Sequence, residues 1–333
     1  MAHPEKILIV GAGTMGEGIA QAFAQNAFDV RLVDNDAGQI ARALGQATQN
    51  VRQFIEFGLI TESVEQVMSR IDGLVCTDMA EAVEGCAYVI EAIPEVLDPK
   101  RDLLARLQAA DPELIIGSNT GSFTMDVLAE GLPRPDNLIG IHYFNPAHII
   151  PLVEIHRGSA CSDAAFTETR RLLEASGKRT VLVRVERPGF IVNRLMGALE
   201  REIDYLLDEG IVTPEDLDVA VKASTGFRFA CLGPMEVEDM IGLDIAATVS
   251  GRVFKGLSNA TEPSPMLLEK VKKGELGIKA GKGWYDYSGK TREEVLREKN
   301  GKLLPQLKLF LDAQQDSRPQ APQRAGRRRH TAH

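Results

Sequence analysis

The sequence predicts an α/β protein, a doubly wound parallel sheet followed by a mainly α-helical C-terminal domain, on three observations. Short apolar runs that read as buried strands alternate with helical stretches through the first half of the chain. A glycine-rich turn joins the first such run to the first helix. Beyond the Pro188-Gly189 pair the strand signal stops and helical periodicity takes over.

Residues 6–10 (KILIV) form an apolar run that ends in glycines, as a buried parallel strand does. Residues 19–26 are alanine-rich and helical in pattern, and residues 28–33 (FDVRLV) read as a second strand that closes a βαβ unit. Two helical stretches broken near Gly58 fill residues 37–70. Strand candidates follow at 88–92, 114–118, 138–142 and 152–155, with a helix at 100–109 between the first two. Residues 180–185 (TVLVRV) supply the last strand of a parallel sheet. Helices are then expected at 190–209, 214–224, 235–255 and 264–273. In the first of these, Val192, Leu195, Met196, Leu199, Ile203, Leu206 and Leu207 recur at helical spacing and make one apolar stripe. The domain boundary falls near residue 187, giving a sheet domain over 1–187 and a helical domain over 188–312. From about Gln314 the composition turns to Pro, Gln and Arg, so 313–333 is expected to be a disordered tail.

The chain of 333 residues suits two domains, and 44% apolar with 26% charged residues is an ordinary globular balance. A net charge of −9, from 38 basic and 47 acidic side chains, argues against a general nucleic-acid surface. The run Arg327 to Arg329 reads as a solvated terminus. No stretch approaches the roughly 18 apolar residues of a membrane span, and the first ten residues lack secretory-signal features, so the cytoplasm is the expected location. Cys76, Cys86, Cys161 and Cys231 form no CxxC or Cys/His cluster, and no metal is expected.

Gly11, Gly13 and Gly16 spell GxGxxG directly after the first strand and open the first helix. This is a Rossmann-type nucleotide turn: Gly11 permits the bend, Gly13 lets the backbone approach a pyrophosphate, and Gly16 allows close packing. The free amides of the helix start, around Thr14 and Met15, attract phosphate. Asp34 ends the second strand 23 residues after Gly11, placed to accept ribose hydroxyls, and VDNDAG offers no base for a 2′-phosphate. NAD is therefore expected rather than NADP.

His142 sits where an apolar strand meets the loop Tyr-Phe-Asn-Pro, at the strand end where ligands bind in open α/β sheets. Glu154 lies inside the apolar strand PLVEI, and a buried carboxylate needs a partner. A histidine oriented by a carboxylate suits general-base removal of an alcohol proton, although such a pair is also a common structural feature. Asn193, in the first turn of the helix after GFIV, lies at the edge of the apolar stripe. It either donates to a substrate oxygen or bonds its own backbone. Ser118 and Asn119, in GSNTGS, occupy another strand-end loop with the same two readings.

The motifs GAGTMG, EAIPE, SNTGS, HYFNP, PLVEI, PGFIVNR, GPMEVEDMIGLD and GIKAGKGWYDY, in this order over about residues 6–287, resemble the L-3-hydroxyacyl-CoA dehydrogenase family. The resemblance implies an NAD-binding domain and a helical domain that dimerises, with the active site between them. It implies that His142 is the base, Glu154 the acid that orients it, and Asn193 the substrate-side amide. Glu95, Lys100 and Asn119 match positions near the nicotinamide half of the cofactor, and Ser122 and Asn145 face the substrate. Two departures stand out. Gly121 occupies the fourth position of the family's SNTS motif, with Ser122 one residue later. In place of the lysine-rich hairpin segment that holds the nucleotide end of CoA, this chain has VRQFIEFGLI, with Arg52 as its one base.

The first reading is oxidation of an L-3-hydroxyacyl-CoA, 3-hydroxybutyryl-CoA for example. A second keeps the chemistry on a free hydroxy compound, as relatives acting on carnitine, gulonate or a pyridine alcohol do, and the poor cationic segment fits it. A third, a noncatalytic crystallin-like dinucleotide binder, conflicts with intact His142, Glu154 and Asn193. A 3-hydroxyisobutyrate or 6-phosphogluconate type dehydrogenase is excluded because PGFIVNRLMG holds no lysine base.

Overall fold

A computed structural model describes residues 5–316. Its strands are β1 (Lys6–Val10), β2 (Asp29–Asp34), β3 (Ile71–Val75), β4 (Tyr88–Glu91), β5 (Ile115–Ser118), β6 (Leu138–Tyr143), β7 (Leu152–His156) and β8 (Arg179–Val183). They form one sheet in the order β3-β2-β1-β4-β5-β6-β7-β8, whose first six strands follow the doubly wound dinucleotide-binding order. The helices of this half are α1 (Thr14–Ala24), α2 (Ala37–Glu56), α3 (Val64–Met68), α4 (Met79–Val83), α5 (Leu97–Ala110), α6 (Met125–Leu128) and α7 (Asp163–Ala175). One core layer joins α1, α2 and α7 to the sheet through Phe23, Val51 and Leu172, and the other joins α4 and α5 through Met79, Leu104 and Leu107.

The sheet departs from the fully parallel expectation at one edge. β7 runs antiparallel to β6, pairing His142 with Glu154 and Gly140 with His156, and β8 is parallel to β7. The link 144–151 is too short for the crossover that a parallel neighbour needs, so the chain folds straight back. That reversal sets His142 and Glu154 side by side. β3 went unread in the sequence because IDGLV is brief and broken by Asp and Gly. Gly73 is needed there, since a methyl group on it would stand 2.8 Å from Ile40 of α2. α7 also went unread; Ser162 caps it by accepting from the Ala165 amide.

The second half holds α8 (Val192–Asp208), α9 (Pro214–Ala223), α10 (Thr225–Phe229), α11 (Pro234–Ile241), α12 (Leu243–Val253), α13 (Pro265–Lys272) and α14 (Arg292–Asp316). The single helix expected over 235–255 is two, because Gly242 at φ +101° breaks it. The last described helix, α14, runs to Asp316, and the remainder of the segment expected as a tail lies outside the described residues. α14 returns to the sheet domain, where Leu304 and Leu307 bury Phe54 of α2 together with Ile149. Elsewhere the apolar stripes stay open. Of the α8 stripe only Leu207 is buried, and Leu195 is 64% exposed. Among the described residues no helix is long and apolar enough to cross a membrane.

Candidate active site

The carboxyl ends of the parallel strands frame a cleft of about 1210 Å³, running from Asp34 to His142 and Asn193. At its first end, Gly11 takes φ +108°, and a methyl group there would meet the Ala92 carbonyl at 2.6 Å. Gly16 packs against the Gly11 carbonyl so closely that any side chain is excluded. Gly13 has open space in front of it, and α1 starts there without a side-chain cap, so its first amides are free for an anion. Asp34 accepts from the Ala12 amide at 2.8 Å and from the Asp36 amide at 3.0 Å, which fixes its carboxylate at the cleft edge. Arg42 ties the turn from behind, donating to the Ala12 carbonyl and to Glu17. Burial pushes the Glu17 carboxyl up to about 7, with Arg42 and Asn50 pulling against it. The bare approach at Gly13, the uncapped helix start and the fixed Asp34 fit a dinucleotide.

Further along, Glu95 lies in the cleft wall and binds the turn that follows β5. It accepts from the amides of Gly121 and Ser122 at 3.1 and 3.0 Å and from the hydroxyls of Thr120 and Ser122. Its burial pushes the carboxyl up, but these donors and Lys100 bring it below the usual range. Lys100, expected beside the cofactor, stands behind this wall instead. It is wholly buried, 2.7 Å from Glu91, and reaches the cleft only through Glu95 and the Asn119 carbonyl. Asn119 lines the cleft and accepts the Tyr143 amide on Oδ1.

At the far end, His142 Nδ1 lies 2.8 Å from Glu154 Oε2. An ionised carboxylate only accepts, so Nδ1 carries a proton, and in the neutral imidazole Nε2 keeps the lone pair. Nε2 and Asn193 Nδ2 both border the space in front of Gly121. Glu154 is wholly buried, and its other oxygen accepts from the amides of Ile191 and Val192 at 3.1 and 2.8 Å. Burial raises its carboxyl, while His142 and these amides hold it below the usual range. One carboxylate therefore fixes both the imidazole and the start of α8, the helix that carries Asn193. Ser122 and Asn145 also line the cleft.

Several site features escaped the sequence reading. Met79, Leu103 and Arg106 line the Asp34 end, and nothing local in the sequence marks them. A second pair, His156 Nδ1 to Glu186 Oε1 at 2.6 Å, lies one register step from the first. The His156 ring packs 4.0 Å from Phe190, whose backbone is left-handed at φ +48°, just before α8. The spacing of Glu154 and His156 on one strand face was the available signal.

Comparison with known proteins assigns the chain. Residues 6–186 match the 3-hydroxyacyl-CoA dehydrogenase NAD binding domain, and residues 189–287 match the 3-hydroxyacyl-CoA dehydrogenase C-terminal domain. This chain belongs to the 3-hydroxyacyl-CoA dehydrogenase family. It is an NAD-dependent oxidoreductase acting on CH–OH groups. A similar curated protein is the 5-formyl-3-hydroxy-2-methylpyridine 4-carboxylate 5-dehydrogenase of Mesorhizobium japonicum, 32% identical over 90% of this chain and 96% of that protein. A crystal structure of a dehydrogenase for that pyridine acid, described as an NAD+ dependent dismutase, superimposes with a TM-score of 0.84 at 30% identity, covering 93% of this chain and 99% of that one. The (S)-3-hydroxybutyryl-CoA dehydrogenase of Ralstonia eutropha gives 0.68 at 32% identity, covering 86% of this chain and 100% of that one.

Proposed function

We propose that this dehydrogenase oxidises the alcohol of a hydroxy acid that carries no CoA. His142 Nε2 takes the hydroxyl proton, Glu154 holds the ring and steadies the charge that forms on it, and Asn193 donates to the oxygen as it becomes a carbonyl. Bound NAD supplies the hydride acceptor. The glycine turn with Thr14 and Met15 holds the pyrophosphate, Asp34 the adenosine ribose, and Glu95 and Asn119 flank the nicotinamide half. Ser122 and Asn145 face the substrate.

One observation carries the choice against CoA. Phe54, in the hairpin segment where the family resemblance puts the nucleotide end of the thioester, is packed under Leu304 and Leu307 of α14. A phosphorylated nucleotide needs exposed cations; the hairpin segment itself supplies Arg52 alone beside a buried apolar seam, and α14 adds Lys308 near Gly58. The pyridine acid named for the Mesorhizobium relative likewise carries no CoA, its reacting group being a formyl. The second reading, a 3-hydroxyacyl-CoA, is favoured by relatives named 3-hydroxybutyryl-CoA dehydrogenase. NADH formation with 3-hydroxybutyryl-CoA and with free hydroxy acids separates the two. Saturable turnover on the free acids is the expected result, and turnover confined to the thioester would reject it.

We also infer a division near residue 187 and a homodimer formed through the helical domain. The open apolar residues of α8 and of α10 to α12 support the second statement.

A further inference from the structure

No step of the proposed reaction uses the second histidine–carboxylate pair. His156 follows Glu154 by two residues on β7, so both side chains leave the same face of the strand. Both reach the chain that leads from β8 into α8, over residues 184–192. Glu154 holds its far end, accepting from the amides of Ile191 and Val192. His156 holds the stretch before it. Its Nδ1 lies 2.6 Å from Glu186 Oε1, and Glu186 also accepts from the Met125 amide at 3.0 Å. Its ring packs 4.0 Å from the Phe190 ring, which stands 5.7 Å from the ring of His142.

Histidine is not the residue that packing alone would place here. The imidazole is wholly buried, and among the described residues nothing bonds Nε2. An orphaned polar atom in a core costs stability that an apolar side chain of similar size would keep. The ring also claims the room of its cross-strand neighbour, since a methyl group on Gly140 would stand 2.1 Å from it. Phe190, which the ring supports, is a bulky residue in left-handed backbone at φ +48°. Such a conformation persists only where the surroundings hold it. Three residues later comes Asn193, whose Nδ2 borders the same space as His142 Nε2.

We propose that His156 is a positioning residue. By holding Glu186 and Phe190 it sets where α8 begins, and so where Asn193 meets the oxygen that His142 deprotonates. His156 is not part of the cleft wall, so its effect on the reaction passes through Asn193. The inference rests on the roles proposed above for His142 and Asn193.

The test is a cycle of His156→Leu, Asn193→Ala and the double variant. It is read as kcat for NADH formation on whichever of 3-hydroxybutyryl-CoA and 3-hydroxybutanoate the wild type turns over faster. NAD affinity measured for each protein reports that it is folded. His156→Leu is expected to lower kcat about tenfold or more with Asn193 present, and less than about twofold in the Asn193→Ala background. An equal loss in both backgrounds, or no loss in the first, overturns the proposal. Should His156→Leu fail to bind NAD, Glu186→Ala takes its place in the cycle, because it removes the bond and leaves both rings. Asn193→Ala alone separates the two readings. If it leaves kcat unchanged, the donor role itself is refuted, and the inference falls with it. Amide hydrogen exchange over residues 186–193, measured without substrate, should be faster in His156→Leu than in wild type. Unchanged exchange there overturns the proposal whatever the substrate.

Discussion

Glu154 does two jobs with one carboxylate, orienting His142 and binding the first amides of α8. Replacing it with Gln leaves one acceptor oxygen for the two sets of donors and removes the charge, so either the imidazole or the start of the helix that brings Asn193 loses its bond. In Glu154→Gln, kcat is expected to fall by about a hundredfold or more, with NAD affinity within a few-fold of wild type. Equal loss in both measurements would make the pair structural. His142→Ala should abolish turnover and spare NAD binding in the same way. Asp34 anchors its turn through two amides, so Asp34→Ala should weaken NAD and relax discrimination against NADP; an unchanged cofactor preference would speak against the ribose assignment. Glu17 has a pH signature of its own. Its folded carboxyl is raised to about 7 from 4.5, so the folded state holds a proton that the unfolded state has lost. The stability associated with it is present below pH 4.5 and lost as pH rises through about 7. Glu17→Gln should thus gain on wild type between those values, by a few kcal/mol at most, on the order of 3. Denaturant titrations at pH 5 and pH 8 would show it, and parallel pH curves for the two proteins would refute it.

At the scale of elements, the sequence placed β1, β2 and β4 to β8 from apolar runs alone; the central strands are buried on both faces and need little else, while β8 carries its apolar run on a half-exposed edge. It missed β3 and α14 for opposite reasons. β3 is an edge strand whose Gly73 serves the packing of α2, a partner that local pattern cannot show. α14 is highly charged, carries Pro305 inside it, and shows no strong apolar face. Its stability comes from docking Leu304 and Leu307 against Phe54, which lies some 250 residues away in the chain. Leu304→Ala should therefore cost about 2–5 kcal/mol, read as a lower denaturation midpoint. A midpoint unchanged within error would mean that α14 is not held by this contact, and the case against CoA would lose its support.

The molecule as a whole is unevenly finished. The sheet half has apolar cores on both faces, whereas Phe227, Met240 and Phe254 of the helical half are each more than two-thirds exposed. So much open apolar surface on adjacent helices is expected to close against a second copy. Sedimentation should give twice the chain mass, and Met240→Asp combined with Phe254→Asp should give the monomer. A wild-type monomer at micromolar concentration would count against the homodimer. The site itself is also assembled from separate stretches: Gly121, His142, Glu154 and Asn193 come from four segments, and the last is held by the third.

The sequence by itself determined the nucleotide turn, the acid at the end of β2, the order of most strands and helices, and the identity of the histidine and carboxylate. Each of these is written in local spacing, which fixes local backbone geometry and which face of an element is buried. Tertiary structure alone decided that β7 turns back to set Glu154 against His142, that Lys100 stands behind the cleft wall, and that α14 covers Phe54. Those outcomes depend on which surfaces meet, and distant residues compete for them through burial and pairing energies that no local window contains.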